Sequence, residues 1–196
     1  MQLINRLKEW YDRVIVLGHS MGSGIAFHAV LEDAPLTGMI VTSVNGVPSK
    51  KVRFFLVLSK YLHIRSFKTI FWNLRAAHFE PDYIRWKIKH FPRLWFNVFA
   101  DAIESLPGYI SKLHEITIPI MVMHGARDFA TNVDKTAALY FNAVQSREKI
   151  TVKVKKTGHD LFLSKKCPAI MQEVKAFIQT ILDGTGELIA RRKIIP

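Results

Sequence analysis

The sequence has one cysteine, Cys167, in 196 residues, and its apolar runs are short, with residues 54–58 typical of the longest. A single thiol excludes an intrachain disulfide, so we predict a protein of the reducing cytoplasm. A membrane-spanning helix needs roughly 20 apolar residues, which is longer than any apolar run here. The first residues carry charges where a secretory signal peptide needs an apolar core. We therefore predict neither a transmembrane segment nor a signal peptide.

The charge is strongly basic. The formal net charge is +12, and residues 47–107 alone hold 11 Lys or Arg and 4 Asp or Glu, which is a net of +7. Such an excess attracts anionic lipid head groups or acidic substrates, so peripheral contact with an anionic membrane is one interpretation. We favour a solvated basic face, because the charges form no polybasic block. No nucleic-acid recognition motif accompanies the charge, so we predict no nucleic-acid partner.

Apolar runs alternate with helical patterns along the chain. Three runs are typical of buried parallel strands, at residues 13–17, 39–44 and 118–124. A fourth, at residues 150–155, alternates apolar and polar side chains, which predicts an outer strand with one face in solvent. Apolar spacing predicts helices over residues 2–11, 22–31, 132–144 and 168–182. The pattern predicts an α/β fold with a mostly parallel sheet and flanking helices.

One long interval, residues 47–107, breaks this alternation. It holds 13 aromatic residues and is divided by Pro81, Pro92 and Pro107. We predict several helices here, inserted as a lid into a core formed by residues 1–46 and 108–196. The aromatic side chains would form the core of the lid, which we favour, or the wall of a ligand-binding tunnel beneath it.

The pentapeptide Gly18-His19-Ser20-Met21-Gly22 stands between the first predicted strand and the following helix. It matches the pattern G-x-S-x-G, in which a tight turn lifts the serine hydroxyl clear of the sheet at a helix N-terminus. Free N–H groups there favour a developing negative charge. We expect a Cβ atom at position 18 or 22 to collide with neighbouring backbone, so that glycine is needed at both. The pattern predicts Ser20 as a nucleophile, and the alternative is an idle serine in a strand-to-helix turn.

A nucleophilic serine needs a base, and the base needs an orienting acid. Asp128 follows the strand predicted over residues 118–124, and His159 follows the strand over 150–155. Carboxyl ends of parallel strands open on one edge of a sheet, so these side chains can converge on Ser20. Asp134 and Asp160 are alternatives for the acid, although Asp134 falls on a helix and Asp160 adjoins the histidine.

The other histidines receive structural interpretations. We expect His19 to pack or hydrogen-bond within the turn and His124 to be structural at the end of its strand. The remaining histidines show no metal-ligand spacing, so we predict no metal; they are His28, His63, His78, His90 and His114.

The segments GHSMG, HGARD and GHDLF together resemble the α/β-hydrolase-fold serine hydrolases, in particular the monoacylglycerol lipase, lysophospholipase and serine-aminopeptidase-like group. The resemblance implies that the chain is the C-terminal portion of an α/β-hydrolase fold. It implies Ser20 as nucleophile, His159 as general base and then acid, and Asp128 as the orienting carboxylate. The backbone N–H of Met21 would donate one hydrogen bond in the oxyanion hole.

By the same resemblance the substrate is a small-molecule acyl ester or lipid, such as a monoacylglycerol or lysophospholipid, and no cofactor is needed. An amidase, an aminopeptidase or a thioesterase remains an alternative, since the triad is shared. The predicted lid has few acidic residues to bind a substrate amine, which favours esters; they are Glu80, Asp82, Asp101 and Glu104.

The resemblance also implies strands ahead of the serine turn and a loop there that supplies a second oxyanion N–H. We expect a chain without them to expose an apolar sheet edge, which invites self-association. We therefore interpret the chain as a fragment, a reading frame begun at an internal methionine, or a degenerate relative, and we favour the first two. A non-catalytic remnant that binds a partner through this edge is the alternative to an enzyme.

Overall fold

The computed structural model describes residues 2–61, 66–68, 89–90, 93–95, 106–184 and 190–196. The helices in this part of the chain are α1 (Gln2–Trp10), α2 (Met21–Leu31), α3 (Lys50–Tyr61), α4 (Leu106–Ile110), α5 (Val133–Ala143) and α6 (Cys167–Asp183). The strands are β1 (Ile15–His19), β2 (Gly38–Thr42), β3 (Ser66–Lys68), β4 (Arg93–Trp95), β5 (Ile120–Gly125), β6 (Lys149–Val154) and β7 (Arg191–Ile195). Among these residues, no helix combines the length and apolar character needed to cross a bilayer.

Five strands form one parallel sheet in the order β1-β2-β5-β6-β7. The register places Ile40 beside both Leu17 and Met121, and Met121 beside Ile150. Neighbouring parallel strands need crossover connections, and helices supply them along this chain. The predicted α/β fold, with a parallel sheet and flanking helices, is confirmed.

The central strands β2 and β5 are buried along their whole length, because helices cover both faces of the sheet. Successive side chains of a strand point to opposite faces. Ile40 and Met121 accordingly pack into one core with Phe177 of α6. Met39 on the other face packs with Phe27 of α2 in a second core. The two cores hold the ends of β2 and β5 in place, so the loops that follow these strands start from rigid positions.

The strand β6 is not an outer strand, and that prediction is wrong. Strand β7 pairs with it in parallel and covers its other side. Strand β7 was not predicted because it begins with three charged residues, Arg191-Arg192-Lys193. Their side chains are exposed and give no apolar pattern. Lys193 instead forms an ion pair with Glu173 of α6, with 2.6 Å between Nζ and Oε1.

The interval predicted as a helical lid is described only in part. Helix α3 lies at its start, and β3 and β4 form an antiparallel pair where the sequence predicts helices. Apart from residues 47–49, 89–90 and 106–107, the rest of this interval lies outside the described residues, so the lid and the division of the chain into core and lid stay predictions.

Candidate active site

The turn at Ser20 connects β1 directly to α2. The backbone of Ser20 has φ 52° and ψ −118°, a left-handed conformation that costs a non-glycine residue about 1–3 kcal/mol. Two backbone hydrogen bonds hold it there. Ser20 N–H donates to the carbonyl oxygen of Thr42 at the end of β2 (2.9 Å), and Ser23 N–H donates to the carbonyl oxygen of Ser20 (3.0 Å). The strained turn is therefore fixed by the neighbouring strand.

The two glycines of the pentapeptide have different roles. A Cβ atom on Gly18 would lie 2.5 Å from the carbonyl oxygen of Gly22 and 2.8 Å from Cα of Ser23. Both are backbone atoms that cannot move aside, so glycine is required at position 18. A Cβ atom on Gly22 would have no heavy atom within 4 Å among the described residues. The predicted collision at Gly22 is wrong.

The N–H of Met21 lies at the N-terminus of α2, as the first helical residue. The first N–H groups of a helix have no acceptor within the helix, and the helix dipole adds partial positive charge there. This N–H is therefore available for an oxygen beside Ser20.

A chain of hydrogen bonds joins Ser20, His159 and Asp128. His159 Nε2 lies 2.8 Å from Ser20 Oγ, and His159 Nδ1 lies 2.9 Å from Asp128 Oδ2. An ionised carboxylate only accepts hydrogen bonds, so Nδ1 carries the proton and Nε2 accepts from the serine hydroxyl. The Asp128 side chain is fully buried, and that of His159 is 15% exposed.

The loops that carry Asp128 and His159 are tied to each other. The second carboxylate oxygen of Asp128 accepts from Ala130 N–H at 2.9 Å, so both oxygens have donors. A Cβ atom on Gly125 would lie 2.0 Å from the carbonyl oxygen of Gly158. Only glycine permits this close approach, which brings the end of β5 against the loop of His159. Ser43 Oγ also donates to the carbonyl oxygen of His159.

The two alternative acids lie elsewhere. Asp134 on α5 pairs with Lys153 at 2.6 Å, and its side chain is 79% exposed. Asp160 Oδ1 lies 3.2 Å from Nε2 of His19. The other ring nitrogen of His19 lies 2.9 Å from Thr42 Oγ1. Of the three carboxylates, Asp128 is the one bonded to Nδ1 of His159.

His124 lies in β5 behind these loops and is fully buried. Neither of its ring nitrogens has a hydrogen-bond partner in the described part of the chain. Burial lowers the pKa of His124 from 6.5 to about 4; the charge of Asp128 acts in the opposite direction, and His159 lowers it further. The ring is therefore neutral at pH 7. Its position at the end of a strand predicts a structural role, and no local pattern in the sequence indicates its electrostatic interaction with Asp128 and His159.

Two tyrosines hold the loop after β2. The hydroxyls of Tyr140 and Tyr109 donate to the carbonyl oxygen of Asn45 at 2.6 and 3.1 Å. Burial raises the pKa of Tyr109 to about 12 and the pKa of Tyr140 well above its ordinary value of 10. Both hydroxyls are therefore protonated donors at neutral pH.

Solved structures share this fold at low sequence identity. The monoacylglycerol lipase of Paleococcus ferrophilus is 16% identical, with a TM-score of 0.68 over 93% of this chain and 72% of that chain. A soluble variant of monoglyceride lipase from Saccharomyces cerevisiae, in complex with a substrate analogue, is 16% identical, with a TM-score of 0.67 over 91% of this chain and 65% of that chain. A 2-hydroxy-6-oxo-6-phenylhexa-2,4-dienoate hydrolase from Rhodococcus sp. strain RHA1 is 16% identical, with a TM-score of 0.58 over 85% of this chain and 64% of that chain.

The chain thus spans about two thirds of the length of these relatives. Their names cover different substrates, so the shared fold does not by itself assign one. No curated protein sequence matches the chain. Residues 1–166 match the family described as serine aminopeptidase, S33. With this match over most of its length and the parallel sheet described above, the chain belongs to the S33 serine aminopeptidase-like family of α/β hydrolases.

Proposed function

We propose that this chain carries the catalytic residues of a serine hydrolase that cleaves carboxylic esters of acyl chains. Ser20 is the nucleophile, His159 is the general base and then acid, and Asp128 orients the histidine. The observation that carries the proposal is the continuous hydrogen-bond chain, with 2.8 Å from Ser20 Oγ to His159 Nε2 and 2.9 Å from His159 Nδ1 to Asp128 Oδ2. These distances are those of a nucleophile in contact with its base and a base in contact with its orienter.

The reaction has two halves. In the first, Ser20 Oγ attacks the ester carbonyl carbon while its proton passes to His159 Nε2, and the carbonyl oxygen becomes an oxyanion that accepts from the N–H of Met21. The bond to the alcohol then breaks, His159 returns the proton to the departing alcohol, and an acyl-Ser20 ester remains. In the second half, water gives a proton to His159 and attacks the carbonyl carbon of this ester. The bond to Ser20 Oγ then breaks, His159 returns the proton to Oγ, and the acid is released.

The choice of Asp128 as the acid rests on burial and bonding. An imidazolium forms during both halves of the reaction, and a negative charge stabilises it more in a low-dielectric interior than in water. Asp128 is buried with both oxygens hydrogen-bonded. Asp134 is exposed to solvent and paired with a lysine. Exposed ion pairs of this kind contribute little free energy, so Asp134 is a surface contact and not the orienting acid.

Two observations support the substrate class. Two of the similar structures are named as lipases of monoacylglycerol or monoglyceride, and the interval 47–107 is aromatic and basic. These features favour an acyl ester. The family description, serine aminopeptidase, favours a second candidate in which the same residues cleave the N-terminal peptide bond of a substrate.

The first experiment tests the nucleophile. The protein is assayed on p-nitrophenyl esters of short and long acyl chains, with Ser20→Ala as the variant and Ser111→Ala, at an exposed position, as the serine control. We expect Ser20→Ala to lose hydrolysis by several orders of magnitude, because loss of a triad serine costs about 10⁶-fold in kcat. A fluorophosphonate probe should label the wild type and not Ser20→Ala. Equal turnover by wild type and Ser20→Ala would falsify the proposal, and an unlabelled, inactive wild type would favour the non-catalytic remnant.

The second experiment assigns the acid and the bond cleaved. Asp128→Asn should lower kcat by about 10⁴-fold, as loss of the orienting carboxylate does in this kind of triad, whereas Asp134→Asn and Asp160→Asn serve as matched carboxylate controls. A larger loss in Asp160→Asn than in Asp128→Asn would reverse the assignment. Comparing acyl esters with amino-acid p-nitroanilides separates the esterase from the aminopeptidase.

Three further predictions concern the surroundings of the protein. In the described part of the chain β1 forms one edge of the sheet, with Leu17 47% exposed, and self-association through this edge stays a prediction. Contact with an anionic membrane and a cytoplasmic location also stay predictions, supported by the charge of +12 and the single cysteine. Sedimentation with and without anionic vesicles tests the first two together.

A further inference from the structure

We propose that His19, His159 and Asp160 form a site for a divalent transition metal, with Zn²⁺ as the ion of best fit, and that the metal inhibits the hydrolase. The inference rests on the proposed function, because the metal would bind the histidine that serves as the base. One carboxylate and two imidazoles are a common ligand set for Zn²⁺, which accepts nitrogen and oxygen donors in tetrahedral geometry.

The ligand atoms already lie close together. One ring nitrogen of each histidine and one carboxylate oxygen lie within 4.8 Å of one another. His19 Nε2 and Asp160 Oδ1 are 3.2 Å apart, and two ligands on a tetrahedral Zn²⁺ with bonds of 2.0–2.1 Å are about 3.3 Å apart. This pair therefore has the required separation, and the third ligand needs to approach by no more than about 1.5 Å on the same geometry.

Both imidazoles are oriented by a partner on the opposite nitrogen. Thr42 Oγ1 lies 2.9 Å from Nδ1 of His19, and Asp128 Oδ2 lies 2.9 Å from Nδ1 of His159. Histidines that bind metals usually donate their other N–H to a carboxylate or another oxygen, which fixes the ring and its tautomer. Nε2 of each ring therefore faces the proposed site. In the metal-free chain Nε2 of His19 donates to Asp160 Oδ1, because a carboxylate only accepts. Metal binding displaces that proton, and Nδ1 of His19 then carries the N–H and donates to Thr42 Oγ1.

A metal can reach this site from solvent. The side chains of His19, Asp160 and His159 are 32%, 13% and 15% exposed. Three protein ligands leave the fourth tetrahedral position open to water. The set carries one negative charge when both rings are neutral, which opposes the charge of the ion.

Metal binding removes the base from the reaction. The lone pair of His159 Nε2, which accepts from Ser20 Oγ, would be shared with the metal instead. Ser20 would then have no group to take its proton. The local spacing of the histidines predicts no metal, because His19 and Asp160 are 141 residues apart in sequence and meet only in the folded chain.

Binding is measured first, on a tag-free chain carrying Ser20→Ala, so that the result does not depend on catalysis. Zn²⁺ is titrated by calorimetry, and Co²⁺ by visible absorption. We expect one ion per chain, a tetrahedral Co²⁺ spectrum and no thiolate charge-transfer band, which excludes Cys167 as a ligand. Adding Asp160→Asn or, independently, His19→Gln should weaken binding by at least the roughly 10- to 100-fold that loss of an outer-sphere partner costs. Asp134→Asn is the matched control, and thermal unfolding checks that each variant is folded.

Inhibition is measured next, on chains that retain Ser20. Zn²⁺ should stop ester hydrolysis and EDTA should restore it, with each variant compared with its own metal-free rate. Asp160→Asn should resist Zn²⁺, and Asp134→Asn should not. Equal Zn²⁺ affinity in folded Asp160→Asn, His19→Gln and Asp134→Asn chains would overturn the site, even if the enzyme is active. An inactive wild type that still binds one ion through these residues would contradict the proposed function and leave the metal site supported.

Discussion

His124 is expected to make the stability of the protein sensitive to acid. The ring is 1% exposed, and burial lowers its pKa from 6.5 to about 4. In the unfolded chain the ring takes up a proton as the pH falls through 6.5, whereas in the folded chain it stays neutral until the pH approaches 4. The unfolded state therefore binds more protons between these values, and the free energy of unfolding falls as the pH falls.

The size of the effect follows from the two pKa values. One pKa unit corresponds to 1.36 kcal/mol, so the difference between 6.5 and about 4 corresponds to about 3 kcal/mol of stability lost across this range. A single domain has about 5–15 kcal/mol in total, so one histidine would account for a large share of the acid sensitivity. The stability is fully present above pH 6.5.

The perturbation is His124→Leu, which keeps a side chain of similar volume and removes the titrating group. Because both ring nitrogens lack partners among the described residues, and a buried unpaired polar atom costs about 1–3 kcal/mol, the substitution should cost little stability at pH 7. Its unfolding free energy should fall less than that of the wild type between pH 6.5 and 4, with a difference of about 3 kcal/mol.

The assay is urea unfolding followed by tryptophan fluorescence at several pH values from 4 to 7.5. Carboxylates that contribute to acid unfolding are present in both proteins, so those that do not interact with His124 cancel in the difference between the two curves. His114→Gln, at an exposed position, controls for the loss of any histidine. Parallel curves for the wild type and His124→Leu would refute the reasoning.

Other substitutions test the packing around the site. Gly18→Ala, which places Cβ 2.5 Å from the carbonyl oxygen of Gly22, should lower both the melting temperature and esterase activity. Gly22→Ala should be tolerated and should stabilise α2 by up to about 1 kcal/mol in a thermal melt; equal losses in the two variants would contradict the geometry. Tyr140→Phe removes the 2.6 Å hydrogen bond to the carbonyl oxygen of Asn45 and should lower the free energy of unfolding in urea by about 1 kcal/mol. An unchanged free energy of unfolding would show that this bond does not stabilise the fold. Asp134→Asn breaks an exposed ion pair and should change stability by less than about 1 kcal/mol, and a larger loss would mean that the pair is not a simple surface contact.

Much of the core could be predicted because its strands are buried on both faces. The runs at 39–44 and 118–124 differ from β2 and β5 by no more than two residues at either end. Strand β7 could not be predicted, since four of its five residues are exposed and three are charged, and it forms through its backbone bonds to β6. The prediction that residues 150–155 form an outer strand is wrong for the same reason, because the strand that covers their edge has no apolar pattern.

The features of the candidate site that follow from the order of the strands could be predicted from the sequence. The features that follow from close packing between loops could not. Ser20, Asp128 and His159 each follow a strand of one parallel sheet, so their convergence depends on chain order alone. The role of Gly125 depends on a 2.0 Å approach to the backbone of Gly158, and no local pattern contains that distance. The predicted collision of a Cβ atom at Gly22 is wrong for the same reason, because the space around that atom depends on packing.

Thr42 links the geometry of the nucleophile to the cluster around His19. Its carbonyl oxygen accepts from the N–H of Ser20 (2.9 Å) and holds the strained turn. Its hydroxyl lies 2.9 Å from Nδ1 of His19. Since Thr42 is fully buried at the end of β2, both contacts start from a rigid position. Small movements of β2 would therefore displace Ser20 and His19 together, so the distance from the nucleophile to its base and the separation of the proposed metal ligands depend on the same strand.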